Sequence, residues 1–229
     1  MARETHYVCV NCGYESPKWL GKCPVCGKWN TMKEVRVSVE GRKMGRKSEK
    51  ERKEPVPLDE IKEGESLRIK TGIGEFDRVL GGGIPKSAMI ILGGEPGVGK
   101  STLTLQVALS LSQNRTLYVT GEESLSQIKE RSERLGSGRE KLFVMAENDL
   151  NHIVEVAEEL KPDFLIIDSI QTIQIPELPS AQGSVAQVRE CGSQLLRLSK
   201  EENITVILIG HVTKDGTLAG PRTLEHMVD

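Results

Sequence analysis

From residue 66 onward, short runs of apolar residues alternate with stretches in which apolar and polar residues recur at helical spacing. The apolar runs predict buried strands at residues 88–92, 116–119, 142–145, 164–167 and 205–209. The intervening stretches predict helices at residues 101–113, 124–135, 151–160 and 185–200. Strands that alternate with helices are typical of an α/β fold, a mainly parallel sheet with helices on both faces.

Composition divides the chain into three parts. Residues 1–34 contain four of the five cysteines and predict a small metal-binding module. Residues 35–57 are rich in Lys and Arg, poor in large apolar side chains and closed by two prolines, so they predict a charged flexible linker. That linker is either a solvated spacer or a tether that follows nucleic acid. Residues 58–229 form the predicted α/β domain.

The bulk composition excludes some classes of protein. At 229 residues the chain has room for one full-sized domain and a small module. Its formal net charge of −2 means that any surface for nucleic acid has to be a local patch. The first residues lack the apolar region of a signal peptide, and no apolar run approaches the roughly 18 residues of a membrane helix. We therefore expect a cytoplasmic protein without membrane contact.

Two cysteine pairs have the spacing of metal ligands. Each Cys-x-x-Cys pair is followed by a glycine that lets the backbone turn tightly. Four soft thiolates in two such turns suit tetrahedral Zn²⁺, so we expect a structural zinc site. Its ligands would be Cys9, Cys12, Cys23 and Cys26. Two disulfides or a redox-active pair are the alternatives.

The tryptophans and lysines near the cysteines, and the distant fifth cysteine, have both structural and binding interpretations. We expect Trp19 and Trp29 to pack on the small core of the module rather than to bind a partner. The lysines around them are Lys18, Lys22, Lys28 and Lys33. These lysines allow contact with DNA, but they are equally typical of an ordinary surface, and a protein-binding role is the favoured interpretation. Cys191, far from the pairs, is expected to be a structural thiol.

A phosphate-binding loop follows the first predicted strand of the α/β domain. The pattern G-x-x-x-x-G-K-[ST] is matched in full by Gly94, Glu95, Pro96, Gly97, Val98, Gly99, Lys100 and Ser101, and the next helix continues with Thr102. Backbone N–H groups in such a loop surround phosphate oxygens at the positive end of a helix. Lys100 would reach the β and γ phosphates of ATP, and the Ser101 hydroxyl would bind Mg²⁺.

Carboxylates follow two other predicted strands, at the sheet edge where ligands of such folds bind. Asp168 ends an apolar strand and is the candidate for holding Mg²⁺ together with Ser101. Glu122 and Glu123 follow the strand after the P-loop helix. Glu122 is the preferred general base for the attacking water, and Glu123 is the second choice. Each carboxylate could instead cap a turn or a helix.

These motifs resemble the RecA superfamily, in which the catalytic glutamate follows the strand after the P-loop helix as Glu122 does here. The resemblance is closer to the RadA family of bacterial DNA repair proteins, also called Sms. It rests on the cysteine pairs, on TGIGEFDRVLGGG at 71–83, on the P-loop and on GHVTKDGTLAGPR at 210–222. It covers almost the whole chain and implies a RecA-like fold for the α/β domain.

The resemblance implies an enzyme, a DNA-dependent ATPase with ATP, Mg²⁺ and Zn²⁺ as cofactors. It would unwind recombination intermediates and promote their branch migration, working with RecA on single-stranded and branched DNA as a homo-hexameric ring. Two loops of the family contact single-stranded DNA and correspond here to residues 174–184 and 212–225. Lys214 and Arg222 would neutralise phosphates in the second loop. His211 lies where the superfamily has a γ-phosphate sensor.

The family continues beyond the position of Asp229 into a Lys-Asn-Arg-Phe-Gly motif and a Lon-protease-like domain that this sequence does not contain. The basic residues of that motif act across subunits, so we expect this chain to bind ATP but to hydrolyse it slowly. Two other functions fit less well. A replicative helicase of the DnaB type lacks the cysteine module, and a nucleotide-gated adaptor would bind a protein partner through that module.

Overall fold

The computed structural model describes residues 4–9, 14–37, 57–60, 68–211 and 224–229. The chain divides into two compact units, Met1–Glu65 and Ser66–Asp229. We call them the zinc-ribbon unit and the P-loop unit, and each is described by itself.

The described part of the zinc-ribbon unit is a small antiparallel sheet. Its strands are β1 (Glu4–Cys9), β2 (Glu15–Ser16) and β3 (Met32–Val37), in the order β2-β1-β3. Strand β3 pairs with β1 along its whole length, from Cys9 opposite Met32 to Glu4 opposite Val37. It therefore includes residues 35–37 of the segment expected to be a linker. A short 3-10 helix spans Leu58–Glu60.

The P-loop unit alternates helices and strands. Its helices are α1 (Gly74–Val79), α2 (Lys100–Ser110), α3 (Leu125–Leu135), α4 (Leu150–Leu160) and α5 (Val185–Glu202). Its strands are β4 (Met89–Gly94), β5 (Thr116–Thr120), β6 (Leu142–Ala146), β7 (Phe164–Asp168) and β8 (Thr205–His211). All described pairings in this sheet are parallel, in the order β4-β8-β7-β5-β6. The predicted α/β fold is confirmed.

The three central strands, β5, β7 and β8, are buried, and their alternate side chains point into apolar layers on opposite faces of the sheet. In β7, Leu165 and Ile167 belong to the apolar layer that includes residues of α4 and α5. Phe164 and Ile166 belong to the opposite layer, with residues of α2 such as Leu105. Cys191 of α5 is fully buried, and burial raises the pKa of its thiol to about 12, as expected for a structural cysteine.

Side-chain caps fix where the predicted helices begin. Ser124 and Gln127 form a reciprocal capping box at the start of α3. Asp149 and Ser184 accept hydrogen bonds from backbone N–H groups at the starts of α4 and α5. Helix α1 was not predicted, because six residues are too few to show a helical period.

No helix in the described part of the chain combines the length and the apolar character needed to cross a membrane.

Candidate active site and metal centre

The carboxyl ends of four neighbouring strands bring the predicted nucleotide-site residues to one edge of the sheet. In the register of the parallel pairs, Gly94 at the end of β4 lies opposite His211 at the end of β8, and Thr120 of β5 lies opposite Asp168 of β7. The P-loop follows β4 directly, and Glu122 follows β5 after one glycine. Strand-end residues that are far apart in sequence therefore converge.

The P-loop contains two left-handed glycines, which are typical of tight phosphate-binding turns. Gly97 and Gly99 have φ angles of 80° and 98°, a left-handed conformation that glycine adopts without strain. Lys100 is buried, and its Nζ donates hydrogen bonds of 2.8 Å to the carbonyl oxygens of Gly94 and Glu95. Ser101 and Thr102 continue the first turn of α2, whose free N–H groups give this end a positive potential.

Asp168 is a buried carboxylate held by two hydroxyl groups. Tyr118, fully buried in β5, donates a hydrogen bond of 2.7 Å to its Oδ2, and the Ser101 side chain is also hydrogen-bonded to it. Burial raises the pKa of Asp168, and the carboxylates of Glu122 and Glu123 act in the same direction against these hydrogen bonds. A concentration of negative charge beside the Ser101 hydroxyl fits the oxygen ligands and charge that Mg²⁺ requires.

Glu122 is oriented by two side chains. The Ser169 hydroxyl donates a 2.7 Å hydrogen bond to its Oε1, and His211 Nε2 lies 3.2 Å from the same oxygen. Burial opposes ionisation of Glu122, yet the hydrogen bonds from Ser169 and His211 and the positive charge of Lys100 outweigh it and lower the pKa. The side chain is ionised at neutral pH and 43% exposed, so water can reach it.

Glu123, the second choice for the base, points elsewhere. Its Oε1 is paired with the guanidinium of Arg131 in α3, and both side chains are mostly buried. The N–H of Glu123 donates to Thr120 Oγ1 at 2.9 Å, which fixes the turn after β5. This geometry places Glu122 rather than Glu123 beside Ser169 and His211.

Tyr118 and Ser169 are the side chains of the site that the sequence did not reveal. Tyr118 lies inside an apolar run and looks like an ordinary core residue. The parallel register places it opposite Ile166, so Asp168, two residues further along β7, is on the same face of the sheet. Ser169 directly follows Asp168 in the sequence, and this proximity to a predicted Mg²⁺ ligand is what could have identified it as a residue of the site.

The segments expected to contact DNA are described in part. Residues 174–184 form a loop fixed by the buried side chain of Gln187, whose amide bonds the backbone N–H of Ile175 and the carbonyl oxygens of Ile175, Leu178 and Ser180. The loop contains no Lys or Arg. Lys214 and Arg222 of the second loop lie outside the described residues.

Three of the four predicted zinc ligands are described, and they converge. The Sγ atoms of Cys9, Cys23 and Cys26 all lie within 4.8 Å of one another, and those of Cys9 and Cys26 are 3.7 Å apart. Zn–S bonds of about 2.3 Å put tetrahedral sulfur ligands about 3.8 Å apart, so the cluster fits the ion. No disulfide links the described cysteines. Cys12 lies outside the described residues.

The expected packing of the two tryptophans on this core was wrong. Trp19 is 55% exposed and Trp29 is 70% exposed. The buried core consists of Cys9, Cys23 and Met32, and the partly buried side chains packed against it are Tyr7, Tyr14, Leu20 and Cys26 rather than the tryptophans. A core of this size has no room for two indole rings, which remain on the surface.

A parallel α/β sheet, a P-loop and carboxylates at neighbouring strand ends define a P-loop ATPase domain, joined here to a metal-binding ribbon. A family model described as an AAA domain matches residues 57–217, and one described as a rubredoxin metal binding domain matches residues 7–34. The chain belongs to the AAA domain family.

Curated relatives confirm the resemblance seen in the sequence. The chain is 47% identical over 231 residues to the DNA repair protein RadA of Bacillus subtilis (strain 168). It is 49% identical over 230 residues to the DNA repair protein RadA of Streptococcus pyogenes serotype M1. Each match covers 99% of this chain and 50% of the relative. The chain thus spans about half the length of these relatives.

A solved structure supports the fold. A KaiC-like protein from the hyperthermophilic archaeon Pyrococcus horikoshii OT3 superposes with a TM-score of 0.59 and 23% sequence identity. The match covers 71% of this chain and 78% of the other. At this identity the likeness shows a shared fold and nothing about activity.

Proposed function

We propose that this chain is the ATP-hydrolysing part of a DNA repair protein and that DNA binding controls its ATPase activity. The observation that carries the proposal is the convergence of Lys100, Ser101, Asp168, Glu122 and His211 at one edge of the sheet. The similarity to RadA proteins supports DNA repair as the setting.

The P-loop unit has a group for each need of ATP hydrolysis. The amides of the P-loop and the Lys100 ammonium would hold the phosphates, once Nζ exchanges its carbonyl partners for phosphate oxygens. Ser101 and Asp168 would hold Mg²⁺, which neutralises charge on the phosphate oxygens. Glu122, ionised because its pKa is lowered, would take a proton from the attacking water.

His211 offers a route from the ATPase site to DNA. Its ring touches Glu122, and its backbone ends β8, immediately before the segment 212–223 that contains Lys214 and Arg222. A change at the γ-phosphate that moves Glu122 would therefore change the position of His211 and of the segment attached to it. In this proposal Lys214 and Arg222 neutralise phosphates of single-stranded DNA.

The finer points of the proposal follow the resemblance to the RadA family. They are Zn²⁺ as the ion held by Cys9, Cys12, Cys23 and Cys26, branch migration of recombination intermediates together with RecA, a homo-hexameric ring and a cytoplasmic location. The thiolate cluster is the structural observation that supports the zinc.

The test measures ATP hydrolysis by this chain with and without single-stranded DNA. We expect DNA to stimulate hydrolysis, and Lys100→Ala to abolish both the basal and the stimulated rate. Lys129→Ala, which removes an exposed lysine of α3, is the matched control and should leave both rates unchanged. Nucleotide binding without any effect of DNA on the rate, both in this chain and in a longer protein that includes the Lys-Asn-Arg-Phe-Gly motif, would contradict the proposal and favour the nucleotide-gated adaptor.

A further inference from the structure

The zinc-ribbon unit exposes two aromatic rings side by side. Both tryptophans are more than half exposed, and they are the only two in the chain. A Cβ placed on Gly21 would lie 3.6 Å from Cη2 of Trp19 and 3.9 Å from Cζ3 of Trp29. The outer edges of the two indoles therefore both lie close to the same glycine.

The backbone under these rings is fixed by hydrogen bonds. The N–H of Asn30 donates to the carbonyl of Gly21 at 2.8 Å, and Lys22 and Trp29 form an antiparallel bridge. The N–H of Cys23 donates to the carbonyl of Lys28 at 3.0 Å, which ties the same hairpin to the cysteine cluster. A backbone fixed in this way keeps the attachment points of the two rings in place, so less conformational freedom is lost when they bind a ligand.

The stretch of chain that carries the two rings is rich in lysine. Residues 14–33 contain four lysines and a single acidic residue, although the whole chain has a net charge of −2. All four lysine side chains are exposed; they are Lys18, Lys22, Lys28 and Lys33. The Lys22 ammonium lies 5.6 Å from the centre of the Trp29 ring, so an anion next to that ring would meet a cation.

We propose that Trp19 and Trp29 form a stacking surface for the bases of single-stranded DNA, with the neighbouring lysines neutralising its phosphates. Exposed aromatic rings inside a basic patch are the combination that binds unpaired strands without reading their sequence. A protein interface is a poorer match, because lysine is depleted at the centre of such interfaces. Duplex DNA keeps its bases stacked inside and offers no free base face.

This surface differs from the ATPase site and from the segment 212–223, and it does not depend on the proposed function. Stacking requires no ATP, so the test runs without nucleotide. Trp19 and Trp29 are the two tryptophans of the chain, so the tryptophan emission reports on this surface. Absence of base-dependent quenching would contradict this surface alone, whereas absence of DNA-stimulated hydrolysis would contradict the proposed function alone, so the two failures are distinguishable.

The experiment titrates the zinc-loaded chain with a thymidine oligonucleotide of about 15 nucleotides, within the range of strand lengths that single sites of this kind cover. We expect saturable quenching of the tryptophan emission as bases stack on the indoles. An abasic strand of the same length keeps the phosphates and lacks the bases, and it should quench weakly.

Variants measured with a labelled strand separate stacking from charge. Trp19→Ala and Trp29→Ala should each weaken binding about 5- to 150-fold, whereas the Phe variants, which keep an aromatic face, should retain most of the affinity. Lys18→Gln should reduce the slope of log affinity against log salt by about 0.7. Phe143→Ala, which removes an exposed ring of the P-loop unit, is the matched control and should have no effect. Bound zinc, measured for every variant, checks that the unit is intact.

Three results would overturn the inference. The first is unchanged emission at strand concentrations that saturate the chain. The second is equal quenching by the abasic strand, which would mean that phosphates alone are bound. The third is an emission change produced by a protein partner, such as a recombinase, and not by the bare strand.

Discussion

The two units of this chain differ in the size and composition of their buried cores. In the P-loop unit the strands lie between two apolar layers, so burial of Val, Ile and Leu side chains stabilises the fold. In the described part of the zinc-ribbon unit, the buried core is Cys9, Cys23 and Met32. So small an apolar core cannot offset the loss of chain entropy on folding. We therefore expect a bound metal ion to supply much of the stability of that unit.

The difference in core size also decides whether a functional site can lie inside a unit or on its surface. The P-loop unit has a core large enough to bury Asp168 and Tyr118 as a hydrogen-bonded pair, so its site is part of its core. The zinc-ribbon unit has little interior, and its largest side chains lie on the surface. A metal-held unit of this size is suited to presenting a surface rather than enclosing a substrate.

Removing the metal should break one unit and leave the other intact. Metal binding to a structural zinc site supplies about 10–16 kcal/mol of folding free energy, so a chelator should unfold residues 4–37. Hydrogen exchange should then show loss of amide protection in β1 and β3, while β7 keeps its protection. Cys23→Ser should act like the chelator, and Cys191→Ala, at the buried cysteine of the P-loop unit, should keep the metal. Equal loss of amide protection in both units would contradict the claim that metal stabilises only the zinc-ribbon unit.

Glu122→Gln should remove the chemistry of the P-loop unit without removing its fold. The amide has the shape of the carboxylate but cannot accept the proton of water, so hydrolysis should fall at least about 100-fold, a loss of about 3 kcal/mol. ATP binding, measured with a fluorescent analogue, should persist.

The matched variant for that prediction is Glu123→Gln. It weakens the ion pair with Arg131 and should lower stability more than it lowers the rate. The opposite pattern, with Glu123→Gln inactive and Glu122→Gln active, would identify Glu123 as the base.

The sequence predicted the P-loop unit well and the zinc-ribbon unit less well, for physical reasons. Strands buried on both faces are continuous apolar runs, and the start of β5 and the ends of α3 and α4 match the prediction. The exposure of Trp19 was missed because composition suggests burial, whereas burial requires a core large enough to hold the ring. The Tyr118–Asp168 contact was missed because it depends on the register of two strands 50 residues apart.

Tyr118→Phe should show how far the core and the site of the P-loop unit depend on each other. The change removes one hydroxyl and leaves the buried Asp168 without that hydrogen bond, which should cost about 1–3 kcal/mol of unfolding free energy. It should also allow the carboxylate to turn, so more Mg²⁺ is needed for half-maximal hydrolysis. Urea unfolding and a Mg²⁺ titration measure the two effects.

Tyr14→Phe, in the zinc-ribbon unit, is the matched control and should change neither quantity. If Tyr118→Phe lowered stability and left the Mg²⁺ dependence unchanged, Tyr118 would be a core residue without a role in positioning Asp168.

The smallest expected effect concerns α1, the helix that the sequence did not reveal. Asp77 accepts hydrogen bonds from Thr71 N at 2.9 Å, Thr71 Oγ1 at 2.8 Å and Gly72 N at 3.1 Å, which tie the preceding loop to the helix. The bond from the Thr71 N–H is the largest effect on the pKa of Asp77, which is lowered. Because the folded state favours the carboxylate, the stabilisation is complete above the ordinary pKa and is lost as the pH falls through the lowered pKa.

Asp77→Asn should therefore cost about 1 kcal/mol of unfolding free energy at pH 7. The difference from the unchanged chain should stay constant down to pH ~5 and shrink below about pH 4, as seen by urea unfolding at several pH values. Glu75→Gln removes an ion pair with Arg78 whose side chains are 73% and 81% exposed, and it should change stability by less than about 0.5 kcal/mol. A difference that grew as the pH fell would mean that the folded state prefers protonated Asp77, and the contacts with Thr71 would then not be what stabilises α1.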